Sequence, residues 1–482
     1  MLRWKTLLAV LATCALVAAA CGDSDDGDEG ATSETTAAEA TETTASEDTA
    51  AETTAAGETT EVADTTEGDG AAAGDIITDI GVEDDTIKIG YNAALSGIFA
   101  STVAPIQEAQ DVYWEVLNEN GGIGGYQIEA VTLDNLYEVP PALENYEEFS
   151  GEGENGVVMI GRSDGSPHTA AYAADLVEDD LTAIPLTWYS GWADPAIGEN
   201  VLEIQTNYCM EAMNGVTYLS EEYGTNLAII SFPGEYGQDG AQGAKKAAEA
   251  LGLTVVYDGE GAVVPGADQT PVITELVNSG ADIVWATVNP TTLAEIMGGA
   301  ADQGFTAHWS GNAPSWGSSL LGTDLAELFD EYWTYSAYTE LWNTGESPGM
   351  QEVVAAMREK RPDAPLAVAD YYVLGWINGL IVTQILETAI ENGDLTRAGV
   401  TEAAKTVTVD LQGLAPDQTW AGEPNDYVVR ESYLYAPDSS LYNEAGTVSD
   451  EAGVTGYSLI QGPYVSPTAE AYDFQQACFL AE

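Results

Sequence analysis

From residue 84 onward the chain alternates two apolar patterns. Short apolar runs without helical spacing read as buried strands. Between them lie longer stretches whose apolar residues recur every three to four positions, which read as amphipathic helices. Residues 86–91 are a predicted strand. Residues 104–120 are a predicted helix, with Ile106, Ala109, Val112, Tyr113, Val116 and Leu117 on one face and Gly121-Gly122 ending it. Strands follow at 126–133, 157–160 and 182–186, with helices at 141–149 and 169–178. A second series repeats the plan. It has strands at 227–232, 254–257 and 283–287, and helices at 240–251, 271–279 and 292–304. Helices at 350–360, 369–392 and 396–406 come last. Strands alternating with helices predict an α/β protein with parallel sheets covered on both faces. Roughly 300 residues of this pattern exceed what one core serves, so two lobes are expected.

The N-terminal part breaks the pattern. Arg3 and Lys5 precede an apolar run from Leu7 to Val17, then small residues, then Cys21-Gly22. That is the layout of a secretory signal, and the run is shorter than the ~20 residues a membrane span requires. Cys21 directly after Ala18-Ala19-Ala20 resembles a lipobox, where bacteria attach diacylglycerol to the thiol and cleave before it. Ala18 stands where Leu is usual, and Ala18-x-Ala20 also fits ordinary signal cleavage. Residues 22–75 hold no aromatic residue, Lys or Arg, and Val62 is their sole large aliphatic. Such a segment cannot bury enough apolar surface to fold, and its like charges extend it. The linker is expected to run over 22–83. The plan is a lipoprotein signal peptide over residues 1–21 whose lipobox ends at Cys21, then a stalk, and a folded body held by the Cys21 lipid to the membrane outside the cytoplasm.

Charge narrows the partners. The chain has 80 acidic and 12 basic residues, a net charge of −68. Nucleic acid is excluded as a partner, because phosphate binding needs Lys and Arg clusters. Membrane attachment would rest on the acyl chain, since acidic surfaces repel anionic lipid heads. Of the four cysteines, Cys14 leaves with the signal and Cys21 is the lipid site. Cys209 and Cys478 remain in an oxidising compartment, where a disulfide between them is expected, although sequence cannot prove a pairing. The two histidines, His168 and His308, and the isolated cysteines make no metal-ligand set. No metal or cofactor is expected.

The order of the pieces carries a resemblance. The strand near Ile87, Leu95-Ser96-Gly97, the helix, and Asn118-x-x-Gly-Gly-Ile-x-Gly together resemble the opening of the branched-chain amino-acid-binding proteins that serve ABC importers. Val158-Met159-Ile160-Gly161 before a Ser-containing loop, Ala183-Ile184-Pro185-Leu186, Glu235-Tyr236-Gly237 and Gly280-Ala281-Asp282-Ile283-Val284 extend the similarity over residues 84–435. The resemblance implies a type I periplasmic binding fold, with two Rossmann-like lobes joined by three chain crossings and a small-molecule ligand between them. Lobe 1 would span 84–205 and 336–425, and lobe 2 would span 206–335 and 426–482. ABC permease subunits are the implied partners, and the protein is expected to be a monomer.

The same resemblance implies site positions. Phe99 and Thr102 follow the first strand, and Ser166 falls where a ligand-carboxylate Ser is expected. Trp188, Tyr189 and Ser190 follow the strand at 182–186. Tyr236 matches a Tyr that closes over the ligand, and Asn289 and Asn312 complete the set. Other uses remain open. Ser166 fits a helix N-cap before Pro167, the aromatic residues fit packing, and Arg162 with Asp164 fits a structural ion pair. The family's ammonium-binding Glu is implied near Gly311-Asn312-Ala313, where this chain has no acid. Recognition is therefore expected through aromatic surface and a carboxylate or carbonyl, not through an ammonium.

A receptor that senses rather than delivers its ligand fits the same residues. An enzyme is a further alternative. Gly161-Arg162-Ser163-Asp164-Gly165 matches the Gly-x-Ser-x-Gly elbow of serine hydrolases, with Ser163 as nucleophile. No His-Gly-Gly oxyanion loop accompanies it, and no catalytic residue is expected.

Overall fold

The computed structural model describes residues 76–451 and 453–481. The signal segment 1–21 with Cys21, and residues 22–75 of the expected linker, lie outside the described residues. Regular structure begins before residue 84. Ile77–Thr78 pairs in parallel with Asp394–Leu395, and Val82–Glu83 pairs antiparallel with the residues Thr86 and Ile87. Two-residue strands leave no periodic signal, so the linker boundary read from composition falls too late.

Four parallel strands make the first sheet: β1 (Thr86–Ala93), β2 (Gln127–Asp134), β3 (Met159–Asp164) and β4 (Ala183–Leu186), ordered β2-β1-β3-β4. Helices α1 (Ala100–Glu119), α2 (Val139–Ser150) and α3 (Ser166–Glu178) connect them. Helix α4 (Tyr208–Glu222) leads to the second sheet. That sheet has β5 (Asn226–Ser231), β6 (Thr254–Gly259), β7 (Ile283–Thr287) and β8 (His308–Gly311), connected by α5 (Gly234–Leu251), α6 (Thr270–Ser279) and α7 (Pro290–Ala301). Its order, β6-β5-β7-β8, repeats that of the four parallel strands of the first sheet, which Val82–Glu83 extends antiparallel, and the second sheet is parallel throughout. In each sheet the chain moves outward from the first strand on one side and then crosses to the other. The crevice at the strand carboxyl ends, where that direction reverses, is where open parallel sheets bind ligands.

A third, antiparallel sheet was not legible in the pattern. It joins β9 (Tyr335–Ala337), β10 (Ser432–Pro437) and β11 (Tyr457–Tyr464), with β10 central. Its strands are far apart in sequence, β9 is short, and most of β11 faces solvent. Helices α8 (Pro348–Lys360), α9 (Ala369–Asn392) and α10 (Arg397–Thr406) complete the main framework.

Helix α9 is the spine of the first sheet's side. By length and composition the segment Leu366–Asn392 could cross a membrane, yet 72% of its most apolar window is buried within the protein. It packs along α1, and glycine permits the close approach: a Cβ at Gly379 would sit 2.5 Å from the Tyr113 ring. Asn378, fully buried, donates through Nδ2 to Gly161 O at 2.9 Å and accepts from Gln110.

Several helices begin earlier than their periodicity indicates. α1 starts at Ala100, ahead of Pro105; α3 starts at Ser166 and α5 at Gly234. Small and polar residues fill these first turns, so the apolar stripe starts later than the helix. The segment after Gly161, read as a loop, is instead the end of β3. Arg162, Ser163 and Asp164 are strand residues and fully or almost fully buried.

Candidate functional site

Residues following the carboxyl ends of both parallel sheets line one cavity. It holds about 830 Å³ of atom-free space, its open mouth included. After β1 come Ala94, Phe99 at the cap of α1 and, on α1, Thr102, Val103 and Ile106. After β3 come Asp164, Gly165 and Ser166, and after β4 Leu186, Thr187 and Trp188. The second sheet's side supplies Tyr208, Tyr236, Ala313 and Pro314. The strand β9 and the segment after it add Tyr335, Tyr338, Thr339 and Leu341, and the first turns of α9 add Asp370, Tyr371 and Leu374. No Lys, Arg or His is among these lining residues. An apolar and aromatic wall with a few placed polar groups is the usual make-up of a small-molecule site.

Aromatic contacts order that wall. Trp188 stacks on Tyr338 with centroids 4.3 Å apart, and its Nε1 donates to Gln205 Oε1 at 2.8 Å. Tyr236 lies 4.8 Å from Tyr208 and edge-on to Phe99 at 6.1 Å. Its hydroxyl donates to Val288 O at 2.6 Å, which fixes the ring against the cavity.

Part of the cavity lining is a hydroxyl cluster. Ser166 is hydrogen-bonded to Thr187, whose Oγ1 lies 3.2 Å from the Tyr208 hydroxyl. Burial holds the Tyr208 phenol well above its ordinary value, so it remains a donor. Ser166 makes no capping hydrogen bond. It is the first residue of α3, and Gly165 precedes it with φ +94°, a conformation that favours glycine. The thirteen-residue α3 thus directs the positive end of its dipole toward these hydroxyls.

Two carboxylates also line the cavity. Asp164 is paired internally: Arg162 Nε lies 3.2 Å from its Oδ1, and Ala94 N donates to its Oδ2 at 2.8 Å. Arg162 also reaches Gln110 and, at 2.7 Å, Gln107 Oε1. Burial still raises the Asp164 carboxyl above the usual range, with Arg162 opposing. Asp370, from the first turn of α9, accepts from Trp342 N at 2.9 Å and Thr455 Oγ1 at 2.7 Å, both at Oδ1. Burial pushes it up to about 7.

Among the residues inferred from sequence, Phe99, Thr102, Ser166, Trp188 and Tyr236 line the cavity. Four others do not. The Tyr189 hydroxyl donates to Phe479 O at 2.6 Å, so it braces the C-terminal segment. Ser190 Oγ donates to Asp239 Oδ1 at 2.6 Å and accepts from Cys478 N at 2.8 Å. Asn289 caps α7, accepting from Thr292 N at 2.9 Å. Asn312 donates to Glu211 Oε2 at 2.7 Å and accepts from Thr287 at 2.7 Å. Each has its polar atoms committed to the scaffold. Cys209 and Cys478 are bonded to each other, which ties the C-terminal segment to α4.

The lack of an acid at 311–313 does not leave the cavity without an unpaired carboxylate, because Asp370 reaches it from α9, far along the chain; the expectation that an ammonium is disfavoured loses that premise. Tyr208, Tyr335, Tyr338 and Tyr371 were missed for the same reason: they come from crossing segments and helix starts, not from the ends of parallel strands. For Tyr335, Tyr338 and Tyr371 the sequence signal that could have found them is the aromatic density of 333–342 and 371–376.

Ser163 does not form a nucleophile elbow. It lies within β3, fully buried, and its hydroxyl bonds to Thr169 Oγ1 at 2.6 Å and to Tyr172. Among the described residues no hydrogen bond joins it to a histidine.

Two parallel sheets of identical strand order, with their carboxyl ends around one cavity, define a type I periplasmic binding fold. Residues 86–439 match the family model described as periplasmic binding protein, and the chain belongs to that family. Solved structures agree. A fatty acid ABC transporter substrate-binding protein from Thermomonospora curvata is 26% identical with a TM-score of 0.72, over 83% of this chain and 97% of that one. A branched-chain amino acid ABC transporter protein from Thermus thermophilus, with bound valine, is 17% identical with a TM-score of 0.66, over 81% and 99%. An ABC transporter substrate-binding protein from Aeropyrum pernix is 19% identical with a TM-score of 0.65, over 80% and 98%. No curated protein matches the chain.

Proposed function

We propose that this protein captures a small organic solute outside the cytoplasm for an ABC importer, and that the solute is mostly apolar with a carboxyl or carbonyl head. The observation carrying this reading is the cavity wall: mostly aromatic and aliphatic, free of basic side chains, with the Ser166, Thr187 and Tyr208 hydroxyls clustered together in it. Those donors, with the α3 N-terminus, suit an oxygen head, while Trp188, Tyr338 and Tyr236 suit an apolar body. The 26% identity to a fatty acid transporter's binding protein supports the apolar body.

In this reading lobe 1 comprises 84–205 and 336–425, and lobe 2 comprises 206–335 and 426–482. They close over the solute and present one shape to the permease. The protein works as a monomer without cofactor or catalysis. Cys21 carries the lipid that holds it to the membrane. Mass spectrometry of the mature protein tests the anchor: acyl chains on an N-terminal Cys21, absent in Cys21→Ser, are expected, and an unmodified wild type refutes it. A thermal-shift screen of fatty acids, aromatic acids, amides and amino acids tests the cavity. A true ligand at 100 times its dissociation constant stabilises the fold by about 2.7 kcal/mol.

A further inference from the structure

The C-terminal segment lies beyond the family match, which ends at residue 439, and it is bonded to both sides of the molecule. On the second sheet's side the Cys209–Cys478 disulfide fastens it to α4. Phe474 N donates to Asn425 Oδ1 at 2.8 Å, and Tyr472 O accepts from Arg430 at 3.2 Å. On the first sheet's side it meets the residues just after β4. Ala477 N donates to Asp194 Oδ2 at 3.1 Å, Cys478 N donates to Ser190 Oγ at 2.8 Å, and Phe479 O accepts from the Tyr189 hydroxyl at 2.6 Å.

Asp239, on α5, joins the two sides. Its Oδ1 accepts from Ser190 Oγ at 2.6 Å and from Phe479 N at 3.2 Å, and its Oδ2 accepts from Ser190 N at 3.0 Å. Asp239 and Ser190 are both fully buried, and among the described residues no Lys, Arg or His forms an ion pair with Asp239. One carboxylate of the second sheet's side thus holds both the loop after β4 and the C-terminal segment. Pulling them apart strips a buried carboxylate and a buried hydroxyl of their partners, which opposes separation. None of the residues in this network lines the cavity, so its bonds are independent of direct contact with a solute there.

We propose that residues 472–479 form a strap between the lobes, fastened by its disulfide, that limits how far they open when the cavity is empty. The proposal rests on the two-lobe reading above, in which Tyr189, Ser190 and Asp194 belong to lobe 1 and Cys209 and Asp239 to lobe 2. The strap has a covalent end on lobe 2 and hydrogen bonds on lobe 1. Wide opening breaks those hydrogen bonds, while the disulfide keeps the segment in place to remake them. Without the disulfide the segment is free to follow lobe 1. Lobes held near their closed spacing need less of the solute's binding energy to close, so the strap raises affinity without touching the solute.

Single-molecule energy transfer across the cavity mouth tests the strap. The dyes are carried on azide-bearing residues placed at Glu138 and Ala267, so no cysteine is added. Both positions are exposed and follow the carboxyl ends of β2 and β6, one on each lobe. The full chain is measured without added solute as the wild type, as Cys209→Ser with Cys478→Ser, and as folded wild type treated with a phosphine, which reduces the disulfide to two thiols. The phosphine arm decides the matter if the double variant folds poorly, and Cys478 lines an open groove where the reagent can reach it. The expected result is a narrow distance distribution in the wild type and a longer, broader one once the disulfide is gone. Loosening of the tail alone would lower stability without moving this distance. If the distribution without the disulfide matches the wild type, the strap is overturned, and solute capture, tested by the thermal-shift screen, stands. If the distance also stays fixed with an acid that stabilises the protein in that screen, lobe closure falls as well.

Discussion

Four acids are buried deep enough to tie the stability of this protein to pH in an unusual direction. Glu203 and Glu211 are pushed up to about 8, and Asp239 and Asp370 to about 7, each chiefly by burial. Glu211 illustrates the cause. It is fully buried, its Oε1 accepts from Ala313 N at 3.0 Å and its Oε2 from Asn312 at 2.7 Å, but no basic side chain pairs with it among the described residues. A folded pKa above the unfolded one means the native state holds more protons between the two values. These groups therefore stabilise fully below the unfolded pKa, and the contribution is lost as pH rises through the folded one. The window from pH ~6.5 to ~8 shows them best. Surface carboxylates are ionised throughout it, and His168 and His308, both held below the usual histidine value by burial, oppose the trend by less than about 0.5 kcal/mol each as their unfolded imidazoles lose protons. Linkage gives a loss on the order of 1–2 kcal/mol for each Glu and up to about 1 kcal/mol for each Asp across that window, about 2–5 kcal/mol in all. Chemical denaturation at fixed high salt, stepped through the window, measures it, and Glu211→Gln should flatten the slope by roughly one Glu's share. Stability that is level or rises from pH ~6.5 to ~8 would refute the reasoning.

Three further outcomes follow from the packing. Trp188→Ala removes the stack on Tyr338 and the bond to Gln205, and should weaken solute binding by about 1–3 kcal/mol in calorimetry with little change in secondary structure. Replacing Cys209 and Cys478 together by Ser frees the C-terminal segment from α4 and should cost about 2–4 kcal/mol, with faster hydrogen exchange confined first to residues 473–481. Gly379→Val drives a side chain into the Tyr113 ring between α1 and α9, and should lower stability by about 1–3 kcal/mol or more in a denaturant titration.

The parallel core was legible because its strands are unbroken apolar runs and its helices carry a regular stripe, both local properties. What escaped was set by distant partners. β3 continues through Arg162-Ser163-Asp164 because Gln107, Gln110 and Tyr172 satisfy those polar groups from elsewhere. The antiparallel sheet depends on β9 and β10 meeting across about a hundred intervening residues, which no window of sequence contains. The site divides the same way. Phe99, Ser166 and Trp188 sit just after parallel strands, where the fold places ligands, so position alone indicated them. Ser190, Asn289 and Asn312 occupy equivalent loops but turn their polar atoms into the scaffold. Asp370 and Tyr335 enter from α9 and β9, whose path to the cavity only the tertiary structure defines.

The central claim is that this cavity holds the solute. A crystal structure with the tightest-binding acid from the thermal-shift screen tests it most directly. The account expects one molecule per chain between the two parallel sheets, its oxygen head within hydrogen-bond reach of Ser166 and Tyr208 and its body against Trp188, Tyr338 and Tyr236. A ligand bound elsewhere on the surface, with this cavity filled by solvent, would contradict it.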